Sequence, residues 1–175
     1  MNILVSAEVR RKLLRCGWIN TEKKMKEDIK IRRIRKSDWK SILSLWQNTP
    51  GMGLNSIDDS EEGIKRFLKR NPYTCFLAEK ENETIGTIIA GHDGRRGYIY
   101  HTAVNPAERN KGVATRLVSA CVEALKNDGI AKVALVVFKD NELGNGFWER
   151  MGFTERDDLN YRNKVITDRE MIRNR

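Results

Sequence analysis

The sequence predicts a mixed α/β domain of the α+β kind, one mostly antiparallel sheet covered by helices, with elements in the order βααβββαβαβ. Three observations predict it. Short apolar runs with strand character alternate along the chain with longer stretches whose apolar residues recur at helical spacing. Turn formers, chiefly Gly, Asn and Asp, sit between them. Finally, 175 residues that are 39% hydrophobic and 33% charged are long enough to bury one good core, which makes a single domain the expectation and not two.

Taken in order, Ile29 to Ile34 alternates apolar and basic residues like a half-buried strand. Ser37-Asp38 then offers N-cap chemistry ahead of Trp39, Ile42, Leu43 and Trp46, which are spaced as one face of a helix. Thr49 to Ile57 contains Pro50, Gly51 and Gly53 and reads as a loop, after which Asp58 or Ser60 caps a helix carrying Ile64, Phe67 and Leu68. Asn71-Pro72 ends that helix. Three strand-like runs follow, Thr74 to Glu79, Thr84 to Ala90 and Tyr98 to Val104, separated by turn residues and expected as an antiparallel meander. A helix from Lys111 to Asn127 places Val113, Leu117, Val118, Cys121, Val122 and Leu125 on one face, and Gly129 closes it. Lys132 to Phe138 is apolar without alternation, as a strand covered on both faces would be. Glu142 to Met151 reads as a short helix, and Phe153 begins a last strand toward Tyr161. The domain therefore spans 29–165, between a basic extension at 1–28 and a charged tail at 166–175. Within the extension, Val5, Val9 and Leu13 suggest a short amphipathic helix, and Met25 is an alternative start.

Charge and cysteine content narrow the function classes. Residues 1–36 carry 12 Lys and Arg against 4 Asp and Glu, so +8 of the net +9 lies there and the remaining 139 residues hold +1. The body thus has no basic bias from which to build a nucleic-acid recognition face, and nucleic acid is not the expected partner. Cys16, Cys75 and Cys121 form an odd, widely spaced set, which predicts reduced thiols. With only His92 and His101 beside them, neither a zinc site nor any other metal is expected. No run reaches the roughly 18 apolar residues of a membrane span, and the first residues lack the pattern of a secretion signal, so a cytoplasmic protein without membrane contact is expected. Trp39 and Trp46 at helical spacing read as core residues, and Cys75 and Cys121 as buried small hydrophobes.

The segment richest in chemistry is Val104 to Ala114, at a strand-to-helix junction. A helix N-terminus presents unsatisfied N–H groups and partial positive charge, which suits phosphate oxygens. Gly112 and Ala114 keep bulk away from such a ligand, while Arg109 and Lys111 add cationic donors. The spacing is neither that of a Walker loop nor that of the three-glycine dinucleotide fingerprint.

Here the sequence resembles the GCN5-related N-acetyltransferase family. Its signature Arg/Gln-x-x-Gly-x-Gly/Ala matches Arg109 to Ala114, preceded by Val-x-Pro at Val104 to Pro106. A second family segment matches Asn141, Phe147, Trp148, Gly152 and Phe153. The resemblance implies a sheet whose central strand pair, the fourth and fifth strands, splays apart to admit the pantetheine arm of acetyl-coenzyme A. Backbone groups at Thr102, Ala103 and Val104 would bind the arm and polarise the thioester. Amides of Arg109, Asn110, Lys111, Gly112, Val113 and Ala114 would hold the pyrophosphate, and Asn141 would contact the arm from the other side. The implied activity is acetyl transfer from this co-substrate to a primary amine of a small molecule or a protein N-terminus, with the Pro50 to Gly53 loop at the acceptor wall and a homodimer left open.

Trp148 stands where many members carry a Tyr that protonates the departing thiolate, and an indole N–H is no such acid. Tyr98 and His101 are the candidates for catalytic roles, although strict period-two alternation would turn Tyr98, Tyr100 and Thr102 to one face and His101 to the other. Two rival functions remain open at this point: a non-catalytic acyl-coenzyme A sensor, and an RNA-binding module using the basic arm.

Overall fold

The computed structural model describes residues 29–173; the basic extension, with its expected helix from Val5 to Leu13 and with Cys16, lies outside the described residues. The elements are β1 (Lys30–Arg33), a 3-10 turn (Lys36–Asp38), α1 (Trp39–Gln47), β2 (Gly53–Asn55), α2 (Glu61–Arg70), β3 (Phe76–Lys80), β4 (Glu83–His92), β5 (Gly97–Val104), a second 3-10 turn (Pro106–Glu108), α3 (Val113–Asn127), β6 (Val133–Leu135), α4 (Glu142–Arg150) and β7 (Met171–Arg173). The main sheet runs β1-β3-β4-β5-β6; its first three pairings are antiparallel and β5–β6 is parallel. The expected mixed, mostly antiparallel sheet is therefore what forms.

Each face of this sheet carries its own core. On one face Ile88, Ala90 and Ile99 pack under Val113, Leu117, Val118, Cys121 and Leu125 of α3. On the other, Leu77 and Ile89 pack under Ile42, Leu45 and Trp46 of α1 and Ile64 and Leu68 of α2. Trp46 is fully buried, as expected of a core residue, and its indole N–H donates to Thr87 Oγ1 at 2.9 Å, pinning α1 to β4. Gly86 explains itself by contact: a Cβ there would lie 3.0 Å from both Leu117 and Val113, so its absence lets α3 sit down on β4. Cys75 and Cys121 are buried, which pushes both thiols up to about 12.

Several elements depart from the sequence reading. The loop expected over Thr49 to Ile57 contains β2, which pairs antiparallel with β7, so the segment beyond 165 returns to the domain and contributes a strand. The buried strand expected from Lys132 to Phe138 is strand only over Val133–Leu135, and Val136 is 55% exposed. That apolar run lies at the edge of the main sheet, where one side has no strand to cover it. The last strand expected from Phe153 toward Tyr161 does not form. Its sequence is almost wholly polar after Phe153, turns at Asp157-Asp158, and is exposed from Thr154 on. Asp38 also does other work than the expected cap: its carboxylate accepts the Arg35 N–H at 2.7 Å and two bonds from Arg32, at 2.7 and 3.0 Å.

Candidate active site

The sheet opens beside its edge strand β6, and not at a central pair as the resemblance implied. β5 and β6 pair only at Gly97↔Val133, Tyr98↔Ala134 and Ile99↔Leu135. β5 then continues to Val104 with β4 as its partner and no pairing to β6, which leaves a wedge-shaped gap along its other edge. Alternate backbone groups along Tyr100 to Val104 point away from β4 into that gap. These are the two strands expected from the sequence to splay apart.

β5 leads directly to the mouth of α3. Asn105 Oδ1 accepts the Ala107 N–H at 3.0 Å and starts the 3-10 turn, after which Asn110 and Gly112 both take the left-handed conformation, at φ 62° and 80°. Asn tolerates this region and Gly enters it without a Cβ penalty. Gly112 is the N-cap of α3, and a Cβ placed there would meet nothing within 4 Å, so the first amides of the helix open onto free space. Val113 is buried in the core, so only its backbone serves the mouth, whereas Arg109 and Ala114 are half-buried at the rim. Lys111, expected as a cationic donor at the mouth, is engaged by its neighbours. Its Nζ donates to the Ala107 carbonyl at 2.9 Å and to Glu108 Oε2 at 3.0 Å. Glu108 also pairs with Lys80 at 3.2 Å, and these cations hold its carboxyl below the ordinary carboxylate range.

A β-bulge reorganises the candidate catalytic residues. The β4–β5 register shifts so that His101 faces Ile89 while Ile99 faces Ala90, leaving Tyr100 as the extra residue. The alternation expected from period two is thereby corrected. Tyr98, Tyr100 and His101 all lie on the α1–α2 face, and Thr102 lies on the α3 face. The Tyr98 and Tyr100 rings are 4.9 Å apart, Tyr100 meets Phe67 of α2 at 5.3 Å, and the edge of Trp46 meets the His101 ring at 4.7 Å. His101 Nε2 lies 2.7 Å from Oδ1 of Asp59, whose side chain is only 5% exposed. Burial, with the neighbouring Tyr161 and Tyr100, pushes the Tyr98 hydroxyl up to about 12. At that value Tyr98 can donate a hydrogen bond, but passing its proton to a thiolate is uphill. Thr102 Oγ1 is buried and has no hydrogen-bond partner among the described residues. Ala103 is buried beside it on the opposite face and Val104 is half-buried.

Across the gap, Asn141 is the N-cap of α4, its Oδ1 accepting the Gly144 N–H at 2.9 Å. A Cβ on Gly51 would approach Asn141 Nδ2 at 3.4 Å, and one on Gly53 would lie 3.1 Å from the Phe138 ring. The Pro50 to Gly53 loop thus reaches over to the far side of the gap. Trp148 stacks edge-on with Phe147 and Phe153 at 5.1 and 5.0 Å and packs against the α3-side core. Sequence reading named the mouth of α3 and Asn141 as candidates but named neither Asp59, which stands 42 positions from its imidazole partner in a loop read only for caps, nor the bulge.

Comparison with known proteins agrees with this geometry. Residues 39–153 match the sequence model of the acetyltransferase (GNAT) family. An acetyltransferase of Pectobacterium atrosepticum is 31% identical over 142 residues, which cover 81% of this chain and 99% of that protein. Among solved structures, the PaiA N-acetyltransferase of Thermoplasma acidophilum, in complex with coenzyme A, superposes with a TM-score of 0.65 at 16% identity, covering 74% of this chain and 91% of that one. The aminoglycoside N-acetyltransferase AAC(6')-Iy, in complex with the bisubstrate analog CoA-S-monomethyl-acetylneamine, superposes with a TM-score of 0.62 at 21% identity, covering 78% and 98% of the two chains.

Proposed function

The chain belongs to the acetyltransferase (GNAT) family, and on that premise we propose that it transfers acetyl from acetyl-coenzyme A directly to the primary amine of a small molecule or of a protein N-terminus. One observation carries the reading: the β5–β6 gap runs from Ile99 toward the open mouth of α3 at Gly112. A long, thin, partly polar ligand ending in a diphosphate fits that shape. The orphaned Oγ1 of Thr102 supports the fit, because a buried hydroxyl without a partner costs about 1–3 kcal/mol unless something arrives to bond it.

In this reading the backbone of Thr102, Ala103 and Val104 lies along the pantetheine arm. The amides of Arg109, Asn110, Lys111, Gly112, Val113 and Ala114 hold the diphosphate, with Asn141 on the opposite wall. When bound, the co-substrate supplies an acetyl thioester with a thiolate leaving group. The chain's own task is to orient the two reactants and manage the acceptor's proton, which would fall to His101, with Tyr98 as a hydrogen-bond donor. Asp59, paired with His101, places a carboxylate on the acceptor face, whereas Asp58 is ion-paired to Arg169 at 3.2 Å; that face suits the ammonium of a small amine or of a protein N-terminus.

The test is thiol release from acetyl-coenzyme A with a panel of polyamines, aminoglycosides and short peptides. Turnover with at least one amine supports the reading. Tight binding of coenzyme A with no turnover on any of them overturns it in favour of an acyl-coenzyme A sensor, the outcome that packing of Trp148 in place of an acid would suit.

A further inference from the structure

Asp59 is more than a loop residue. Its backbone N–H donates to the Asn55 carbonyl at 3.3 Å, and its Oδ2 accepts the Asn55 N–H at 2.7 Å, so the end of β2 grips it from both sides. Oδ1 is left to meet His101 Nε2 at 2.7 Å, with 6% of the residue exposed. The imidazole is fixed in turn by the Trp46 ring edge at 4.7 Å and, through the bulge at Tyr100, sits on the same face as Tyr98 and Tyr100. It stands two positions beyond Ile99, the last β5 residue paired to β6, and therefore at the entrance of the gap.

We infer that Asp59 is a positioning residue which sets His101 as the group that takes the acceptor's proton, an inference that rests on the acetyl-transfer reading above. An ionised carboxylate can only accept, so the bond puts the imidazole proton on Nε2 and leaves the lone pair on Nδ1. Primary amines reach the site mainly as ammonium ions at neutral pH and cannot attack until one proton leaves. That proton passes to His101 Nδ1, and the resulting imidazolium is stabilised by Asp59. The freed nitrogen pair then forms the N–C bond to the acetyl carbonyl carbon as the C–S bond breaks with its electrons going to sulfur. The thiolate takes one proton and a second leaves to solvent, giving one amide and one thiol. With Asn at 59 neither the tautomer nor the imidazolium is enforced.

The experiment compares wild type, Asp59→Asn, His101→Gln and the double variant. Either single substitution lowers kcat by roughly 10²- to 10³-fold, as loss of a placed base does. The double variant is no worse than the single ones, because the two groups act as a unit. Coenzyme A affinity by calorimetry stays within twofold throughout. In the free protein, nitrogen-15 NMR of the His101 ring shows the proton on Nε2 in wild type and a mixture in Asp59→Asn. Losses that add in the double variant, or a wild-type ring protonated on Nδ1, overturn the inference. If wild type acetylates no amine, the acetyl-transfer reading has failed, and the ring spectrum still decides whether Asp59 sets His101. If Asp59→Asn does not fold, His101→Gln and the wild-type spectrum carry the test.

Discussion

Gly112 offers the sharpest perturbation of the diphosphate cradle. Its φ of 80° is strained for any residue with a Cβ, yet that Cβ would meet no atom within 4 Å. Gly112→Ala and Gly112→Glu therefore share one fold penalty, roughly 1–2 kcal/mol for the left-handed backbone. They differ only in what they show to the ligand. A carboxylate about 6 Å from the two charges of a diphosphate, at an effective dielectric constant of roughly 50 for so open a site, repels it by about 2 kcal/mol. That corresponds to roughly 30-fold in affinity. Calorimetry with coenzyme A should show Gly112→Ala within about threefold of wild type once corrected for folded fraction, and Gly112→Glu weaker than Gly112→Ala by the full factor, with the gap narrowing at high salt. Equal affinities for the two variants would remove Gly112 from the diphosphate site.

Trp46→Phe removes the donor to Thr87 and leaves a buried hydroxyl unbonded, so thermal or urea unfolding should report a loss of about 2 kcal/mol. Burial pushes the Asp38 carboxyl up, but bonds from Arg32 and the Arg35 N–H outweigh it and hold the group below its ordinary value. A lowered carboxylate adds stability above its ordinary range and loses it as pH falls through the folded value. The advantage of wild type over Arg32→Gln, about 1 kcal/mol after screening, should therefore be full at neutral pH and be lost as pH falls beneath the ordinary carboxylate range; an advantage independent of pH in urea titrations would contradict this. Cys75 and Cys121, held up to about 12 by burial, should resist a thiol reagent at pH 8 in a Cys16→Ser protein until urea unfolds it, and rapid labelling of the native protein would refute their burial.

The legible parts of this protein were local. Gly112 declared itself because a residue without a side chain at a helix mouth lets a phosphate approach, and the α3 face from Val113 to Leu125 because helical periodicity repeats along it. What escaped the sequence was non-local. Val133 to Val137 is apolar throughout, and periodicity cannot say whether such a run lies in the middle of a sheet or at its edge, which depends on whether Phe153 to Tyr161 adds a strand. Pairing of Gly53–Asn55 with Met171–Arg173 spans more than 110 positions over three residue pairs, too few to leave a pattern. The bulge at Tyr100 shifts two aromatic rings and an imidazole onto one face without any glycine to mark it. Asp59 could not be assigned to His101 before the loop carrying it was placed.

Amide hydrogen exchange, followed with and without acetyl-coenzyme A, tests the split sheet and the helix mouth together. Saturating ligand should slow exchange at alternate residues of Tyr100 to Val104 and at Asn110 to Ala114, and leave Phe76 to Lys80 of β3 unchanged. Unaltered exchange along both segments at a ligand concentration that saturates calorimetric binding would place the acyl carrier elsewhere on the molecule.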